Sequence, residues 1–412
     1  GHARWGTISR MSTRRRGRME AMSEGTAVSP LELFFDLVFV FALTQVTEFM
    51  SEEASGVDVL RGVLVITVMW WCWIAYAWLC NVLRADQGVM RVALFVAMAA
   101  VFVQAITIPE AFDDLPGGLH GPMVFAVGYF VVRIVHIVMF WLASRDDPQL
   151  RGQVLRFVPS MAAGTVLLLI ASQTTGTTQT VLWFAALAAD YLGTLFSGSK
   201  WRLGATGHWA ERHGLIIIVA LGESIVAIGV GVAHLPVSWP IVAASALGLA
   251  VAGAMWWAYF DVTALVTERA LAAAEGERLI RLARGGYTFL HLPMILGIIL
   301  MALGLKKVLG YVGGEQGHTL ADPIYGIPLA ALYGGAALYL LGHIAFKRHL
   351  TGELNVERLV VVVVLLALIP AAAMLPALGT LAILALVLCA LIGYETVRHA
   401  ELRRQIRSEH GH

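Results

Sequence analysis

Long apolar runs alternate with short polar segments along most of the chain. About 20 consecutive apolar residues make a helix that crosses a bilayer, and twelve runs come close to that length. The pattern therefore predicts an all-α, multi-pass membrane protein with about twelve transmembrane helices. The predicted spans are 31–50, 57–79, 90–112, 121–143, 154–172, 179–197, 213–233, 239–261, 285–305, 325–345, 358–375 and 377–397.

Composition points to the same class of protein. Of the 412 residues, 58% are hydrophobic and 14% are charged, and the mean hydropathy is +0.75. A soluble domain carries about 25% charged residues, and no loop here is long enough to fold alone. The three cysteines lie in apolar runs without the spacing of a metal site. We therefore expect no soluble domain, no metal and no cofactor.

The distribution of positive charge predicts the orientation in the membrane. Lys and Arg concentrate in cytoplasmic loops. Under the twelve-span pattern, nearly all of the 29 Lys and Arg fall in the tails or in loops on one side; the exceptions are Arg61, Arg133, Lys306 and Lys307. We therefore predict that both termini are cytoplasmic, with a basic tail at 1–29 and a second tail at 398–412.

The two halves of the chain contain similar segments in the same order. Their pairing predicts a six-helix repeat over 30–200 and a second over 201–397. Because six is even, both repeats cross in the same orientation, as in transporters whose repeats are related by an axis along the membrane normal. The paired segments are VFALTQV (40–46) and IVALGESI (218–225), VMWWCWIAY (68–76) and AMWWAYFD (254–261), VVRIVHIVMF (131–140) and LYLLGHIAFK (338–347), and AADYLGT (188–194) and LIGYETV (391–397).

Tryptophans in the second span of each half have two interpretations. In the predicted topology they fall in the cytoplasmic half of their spans, where an interfacial aromatic belt is expected. Belt or packing is the favoured interpretation, and stacking on a ligand is the alternative. The residues are Trp70, Trp71, Trp73, Trp78, Trp256 and Trp257.

Two motifs resemble the low temperature requirement A family of bacterial membrane proteins. The first is LELFFDLVFVFALTQVTEFM at 31–50, and the second is HWAERHGLIIIVALGESIVAIG at 208–229. The resemblance extends over essentially the whole chain and implies a multi-pass protein of the bacterial plasma (inner) membrane. The family name records growth at low temperature rather than a biochemical activity, so the resemblance implies no substrate.

Ionisable residues inside the spans are the candidate functional groups. A charge at the bilayer centre costs about 2.5–3.5 kcal/mol on insertion scales, so it needs a partner, water or a proton. Glu223 falls at the centre of span 213–233, and we predict that it holds and releases a proton. A protonated Glu that only joins two helices is the structural alternative. The candidate path residues are Glu32, Asp36, Arg133, His136, Asp190, Glu223, Ser224 and His291.

Three of these candidates also have specific structural interpretations. Glu32 can stabilise a helix N-terminus, and Asp36, one turn further on, can join helices through a salt bridge. Arg133 needs a carboxylate partner, and Asp36, Asp190 and Glu223 are the candidates. At the edges of the spans, we expect solvated side chains at Glu110, Asp261 and His343.

The segment HWAERH (208–213) precedes the predicted seventh span. Its His208, Glu211 and His213 lack the spacing of the zinc-binding motif His-Glu-x-x-His. We therefore interpret this segment as a basic entry to span 213–233 and not as a metal site.

Together these features predict a proton-linked secondary transporter of an unidentified small solute or ion. Arg133, a buried cation, favours a small ion or an organic anion as the solute. A proton or cation channel built from the same duplicated units stays open, and a lipid-acting membrane enzyme or a scaffold is less favoured. We expect contacts with membrane lipids and with protons or a small solute, and none with nucleic acid; a homodimer stays open.

Overall fold

The computed structural model describes most of the chain. The described residues are 23, 25–145, 147–196, 198, 201–398 and 400. Within them all long elements are helices, and there is no β-strand. Most of the predicted basic tail 1–29 and of the C-terminal tail 398–412 lies outside the described residues.

Fourteen α-helices follow one another along the described part of the chain. A three-residue 3₁₀ turn follows α3, another follows α11, and a π-helical turn, Ala283–Phe289, joins α10 to α11. The helices are α1 Pro30–Ser51, α2 Gly56–Val82, α3 Gly88–Ile106, α4 Gly121–Ala143, α5 Pro148–Ala171, α6 Gly176–Phe196, α7 Thr206–Val232, α8 Trp239–Phe260, α9 Thr263–Ala272, α10 Gly276–Leu282, α11 His291–Val312, α12 Gly326–Thr351, α13 Val356–Ala372 and α14 Ala377–Arg398.

Ten helical segments of the described residues are long and apolar enough to cross a membrane. This confirms a multi-pass helical membrane protein. α6 and α13 are outside these ten, although each coincides with a predicted span. α13 has only 17 residues, and α6 begins with polar residues and contains Asp190, which lowers its hydropathy. The count of twelve spans therefore stays a prediction.

Capping residues explain where several helices begin. Ser29 and Glu32 form a capping box at the start of α1, and Ser55 and Asp58 form another at the start of α2. Such side chains satisfy the free backbone N–H groups of the first turn. Asp147 caps α5 outside the membrane span. Its carboxylate accepts a hydrogen bond from the backbone N–H of Leu150, and this bond holds the pKa of Asp147 below its usual range.

α2 lies at the centre of the bundle, and nearly all of its residues from Leu64 to Val82 are buried. Trp70, Trp71, Trp73 and Trp78 are therefore buried packing residues rather than an interfacial belt. The indoles of Trp70 and Trp78 donate to the carbonyl and the hydroxyl of Thr288 in the π-helical turn, at 2.9 and 3.1 Å. The central helix is thus tied to the irregular segment before α11.

Glycines allow α11 and α12 to approach each other closely. A Cβ at Gly297 would lie 2.6 Å from the Gly335 carbonyl oxygen, and a Cβ at Gly335 would lie 2.5 Å from the Met301 nitrogen. Small residues at helix contacts are typical of packing within membranes, where close backbone approach drives association. α11 and α12 therefore form a closely packed pair in the second half of the chain.

Candidate functional site

The first turns of α1 and α7 form a buried network of charged residues. His208 Nε2 lies 3.0 Å from Glu32 Oε1, and Arg212 Nη1 donates to Asp36 Oδ2 at 2.7 Å. The same guanidinium nitrogen donates to the backbone carbonyl of Glu32 at 3.0 Å, and Trp73 Nε1 donates to Asp36 at 2.8 Å. All five side chains are buried. The Arg212 guanidinium therefore faces both carboxylates inside the bundle.

This network changes two interpretations made from the sequence. Predicted span 213–233 is too short at its start, because α7 begins at Thr206 and includes His208 and Arg212. These polar residues lie inside the bundle because Glu32 and Asp36 face them from α1. Glu32 is both a capping residue and a network member, since its other oxygen accepts the Ser29 backbone N–H at 2.9 Å.

Further along the same two helices, Glu223 of α7 faces the hydroxyl groups of α1. Thr44 Oγ1 donates to Glu223 Oε2 at 2.5 Å, and Thr47 also faces this carboxyl. Glu223 is 1% exposed, and the adjacent Ser224 hydroxyl is buried without a hydrogen-bond partner. Unlike Asp36, Glu223 forms no salt bridge with any described residue.

A partly exposed ionic cluster lies at the end of α1, beyond Glu223. Lys306 of α11 contacts the Glu48 carboxylate and lies 2.9 Å from the Ser51 hydroxyl. Thr44, Thr47, Glu48 and Ser51 recur at spacings of three and four residues, which places them on one face of the helix. Polar side chains therefore continue from Glu223 to the end of α1. We call the contact between α1 and α7, from Glu32 to Glu223, the α1–α7 seam.

In the first half of the chain, Arg133 is paired with Asp190. Arg133 Nη2 lies 3.2 Å from Asp190 Oδ1, and the Tyr129 hydroxyl donates to the other carboxylate oxygen. This confirms the predicted contact between Arg133 and a carboxylate of another helix. His136 lies one turn further along α4 and is buried.

The second half contains a buried ion pair that the sequence analysis missed. Arg358 binds Glu395 through two bonds of 2.8 Å, and it also donates to the Ala258 carbonyl and to Nδ1 of His343. His343 is fully buried, so its expected position at a solvated edge is wrong. Arg358 is the first residue of predicted span 358–375, and it lies in the first turn of α13, where Glu395 of α14 faces it.

His291 begins α11 at the end of the π-helical turn. Its Nε2 lies 2.9 Å from the Tyr259 hydroxyl, and its ring stacks on Tyr287 with centroids 5.2 Å apart. The ring of His213 lies 5.0 Å from that of His291. His291 therefore belongs to an aromatic and histidine cluster beside the α1–α7 seam.

A cavity of about 520 Å³ opens at the end of the bundle where α7 begins. His208 and Glu211 of α7 line it, as do Tyr259, Glu268 and Tyr287. Because His208 also contacts Glu32, this cavity reaches the charged end of the α1–α7 seam. Among the described residues, no group of three or more His, Cys, Asp and Glu side chains could hold a metal ion.

A spacing signal could have revealed the α1–α7 contact. Glu32 and Asp36 are four residues apart, and so are His208 and Arg212. Two acids on one helical face and two bases on another predict pairing between the helices. Glu395 gave a weaker signal, because no residue of its own helix indicates that Arg358 faces it.

The fold and the buried charges define a helical, multi-pass membrane protein. A sequence profile described as "Bacterial low temperature requirement A protein (LtrA)" matches residues 27–393, and the chain belongs to this family. An uncharacterized protein of Rhizobium meliloti (strain 1021) is 29% identical over 345 residues, which cover 79% of this chain and 78% of that protein. No solved structure is significantly similar to the chain.

Proposed function

We propose that this protein is a proton-linked secondary transporter in the bacterial inner membrane. The observation that carries the proposal is the environment of Glu223, a buried acid held by the Thr44 hydroxyl with no salt bridge among the described residues. Burying an unpaired charge is costly, and binding a proton removes that charge. Intramembrane carboxyl groups of this kind form proton relays in pumps and transporters.

The α1–α7 seam supplies polar groups at both ends and an apolar segment between them. One end opens to the 520 Å³ cavity through His208, and the other end is Glu223, beyond which lies the cluster of Lys306 and Glu48. Asp36 and Thr44 are eight residues apart, or about 12 Å along a helix, and Phe39 and Leu43 are buried between them. An interrupted polar path favours a carrier that changes conformation over an open channel.

Packing within the two halves supports the proposed repeat. α1 contacts α2 and α3 in the first half, as α7 contacts α8 and α11 in the second. Four further pairs correspond: α3–α4 with α11–α12, α4–α5 with α12–α13, α5–α6 with α13–α14, and α2–α6 with α8–α14; the α2–α4 contact has no similar counterpart between α8 and α12. We propose two parallel six-helix repeats, twelve spans in all, with cytoplasmic termini, so that the 520 Å³ cavity faces the cytoplasm.

Reconstitution into liposomes with a trapped pH dye tests the transport proposal. A pH gradient should drive proton flux through the wild-type protein, and Glu223→Gln should abolish it while leaving the fold intact. Gln keeps the shape and hydrogen-bonding capacity of a protonated Glu but cannot exchange a proton. Asp36→Asn should weaken the flux or shift its pH dependence.

Glu110→Gln is the matched control, because Glu110 is a partly exposed acid outside the seam. Its flux should equal that of the wild type. Wild-type flux in Glu223→Gln, or no flux in the wild type under any gradient, would contradict the proposal. Single-channel currents in a planar bilayer would instead support the alternative, a proton or cation channel.

A further inference from the structure

Asn81, near the end of α2, is a fully buried amide that contacts the segment leading into α7. The Gly204 backbone N–H donates to Asn81 Oδ1 at 2.7 Å, and Asn81 Nδ2 donates to the Ala205 carbonyl at 2.8 Å. A backbone N–H can only donate and a carbonyl can only accept, so these two bonds fix which end of the amide is oxygen and which is nitrogen. Asn81 therefore cannot turn over without losing both bonds.

The same amide nitrogen contacts His208 in the first turn of α7. Asn81 Nδ2 lies 3.2 Å from His208 Nδ1. Because Nδ2 can only donate, Nδ1 is the acceptor and carries no proton. In a neutral imidazole the proton is then on Nε2, which lies 3.0 Å from Glu32 Oε1. His208 is thus a neutral ring that donates to Glu32 through Nε2.

A second proton on His208 would have to bind at Nδ1, where Asn81 already donates. Two donors would then face each other at 3.2 Å, between side chains that are at most 2% exposed. Asn81 cannot present its oxygen instead, because the Gly204 N–H holds that oxygen on the other side of the amide. The doubly protonated ring and this contact between α2 and α7 therefore exclude each other.

The carboxylates near His208 favour a positive ring, and Arg212 opposes one. Glu32 accepts the Nε2–H, and two further acids line the same cavity as His208. The ionisable groups around His208 are Glu32 of α1, Glu211, Arg212 and His213 of α7, Tyr259 of α8, Glu268 of α9 and Tyr287 of the π-helical turn. The neutral amide of Asn81 acts against the carboxylates through the direction of its hydrogen bond.

We propose that Asn81 is a positioning residue that keeps His208 neutral and directed at Glu32. A proton that enters from the 520 Å³ cavity, which His208 lines, can then bind His208 only when the first turn of α7 separates from α2. Asn81 thereby couples the protonation of the charged end of the α1–α7 seam to a movement of α7. The inference rests on the proposed function only in linking that movement to transport; the tautomer itself requires no transport.

Nitrogen NMR of the reconstituted full chain, with isotope-labelled histidine rings, tests the tautomer without measuring flux. The two neutral tautomers and the doubly protonated ring give different nitrogen signals. The signals of His208 are those absent from His208→Gln, and proximity to a labelled Asn81 side chain identifies them if that variant does not fold. We expect the neutral Nε2–H form at His208. His213 is the internal control: its Nδ1 lies 2.8 Å from the Trp209 carbonyl and should carry the proton.

Asn81→Asp replaces the donor at Nδ1 with a carboxylate oxygen and keeps an acceptor for the Gly204 N–H. An adjacent opposite charge favours the charged form of a titratable group, so His208 should become doubly protonated at neutral pH. Gln104→Glu is the matched control, because it makes the same change at a fully buried amide that contacts Cys72 and Phe125 instead. It should leave His208 in the neutral Nε2–H form.

An Nδ1–H or doubly protonated His208 beside Asn81 in the wild type would overturn the proposal. A neutral His208 in folded Asn81→Asp would also overturn it. Failure of the transport proposal gives a different result: His208 has the expected tautomer, but liposomes show no proton flux. Proton flux together with an Nδ1–H His208 would keep the transporter and reject the role of Asn81.

Discussion

The pair of Arg212 and Asp36 permits a quantitative prediction about stability. Arg212→Met keeps most of the side-chain volume but removes the guanidinium. Asp36 would then lose a salt bridge of 2.7 Å, and the Glu32 carbonyl would lose a hydrogen bond of 3.0 Å. Trp73 would still donate to Asp36. The variant therefore leaves a buried carboxylate with one neutral donor and no adjacent cation.

The expected loss is about 3–5 kcal/mol in the free energy of unfolding, because removing one partner of a buried ion pair leaves the other uncompensated. Both side chains are at most 2% exposed, so water cannot replace the guanidinium. Adding Asp36→Asn to Arg212→Met removes the orphaned charge and should recover part of this loss. The double variant should therefore be more stable than the sum of the single changes predicts.

Arg202→Met is the matched control, because it removes the same guanidinium from an Arg–Asp pair of nearly the same length. Arg202 contacts Asp147 at 2.8 Å, but its side chain is 54% exposed. Exposed pairs contribute about 0–1 kcal/mol, so this variant should unfold almost as the wild type does. Denaturant titrations in detergent, followed by tryptophan fluorescence, compare the variants. Similar losses in Arg212→Met and Arg202→Met would refute the reasoning from burial.

Two further predictions concern helix packing and topology. Gly335→Ala should lower the free energy of unfolding by about 1–3 kcal/mol, the usual cost of overpacking, because the new Cβ would lie 2.5 Å from a backbone nitrogen. Gly334→Ala is the control and should leave the free energy of unfolding unchanged, since nothing lies within 4 Å of a Cβ at that position. Equal melting temperatures of these two variants would contradict the close approach of α11 and α12. Reporter tags at residues 115 and 412 should lie on opposite sides of the membrane, and tags on the same side would contradict the proposed topology.

The class of fold could be predicted from the sequence because each long apolar run in the sequence corresponds to one helix. The observed α4, Gly121–Ala143, has the predicted bounds. The prediction is less accurate where polar residues enter the bundle, since a hydropathy pattern places them in loops. α7 begins seven residues before its predicted start because Arg212 and His208 have partners on another helix.

Individual candidate residues could be recognised, but their partners depended on tertiary structure. Arg133 was expected to meet one of three acids, and the packing of α4 near α6 brings it to Asp190. The sequence also gave no sign that Asn81 contacts His208, because they come from α2 and α7. Glu223 was the best candidate from its depth alone, and its Thr44 partner became visible only in the fold.

The protonation of Glu223 can be measured by infrared spectroscopy of the reconstituted protein. The carbonyl stretch of a protonated carboxylic acid is distinct from the bands of a carboxylate. We predict such a band in the wild type, absent in Glu223→Gln and unchanged in Glu110→Gln, with an intensity that follows the pH of the medium. A wild-type spectrum without this band, or a band assigned to Glu223 that ignores pH, would contradict the proton-carrying role of Glu223.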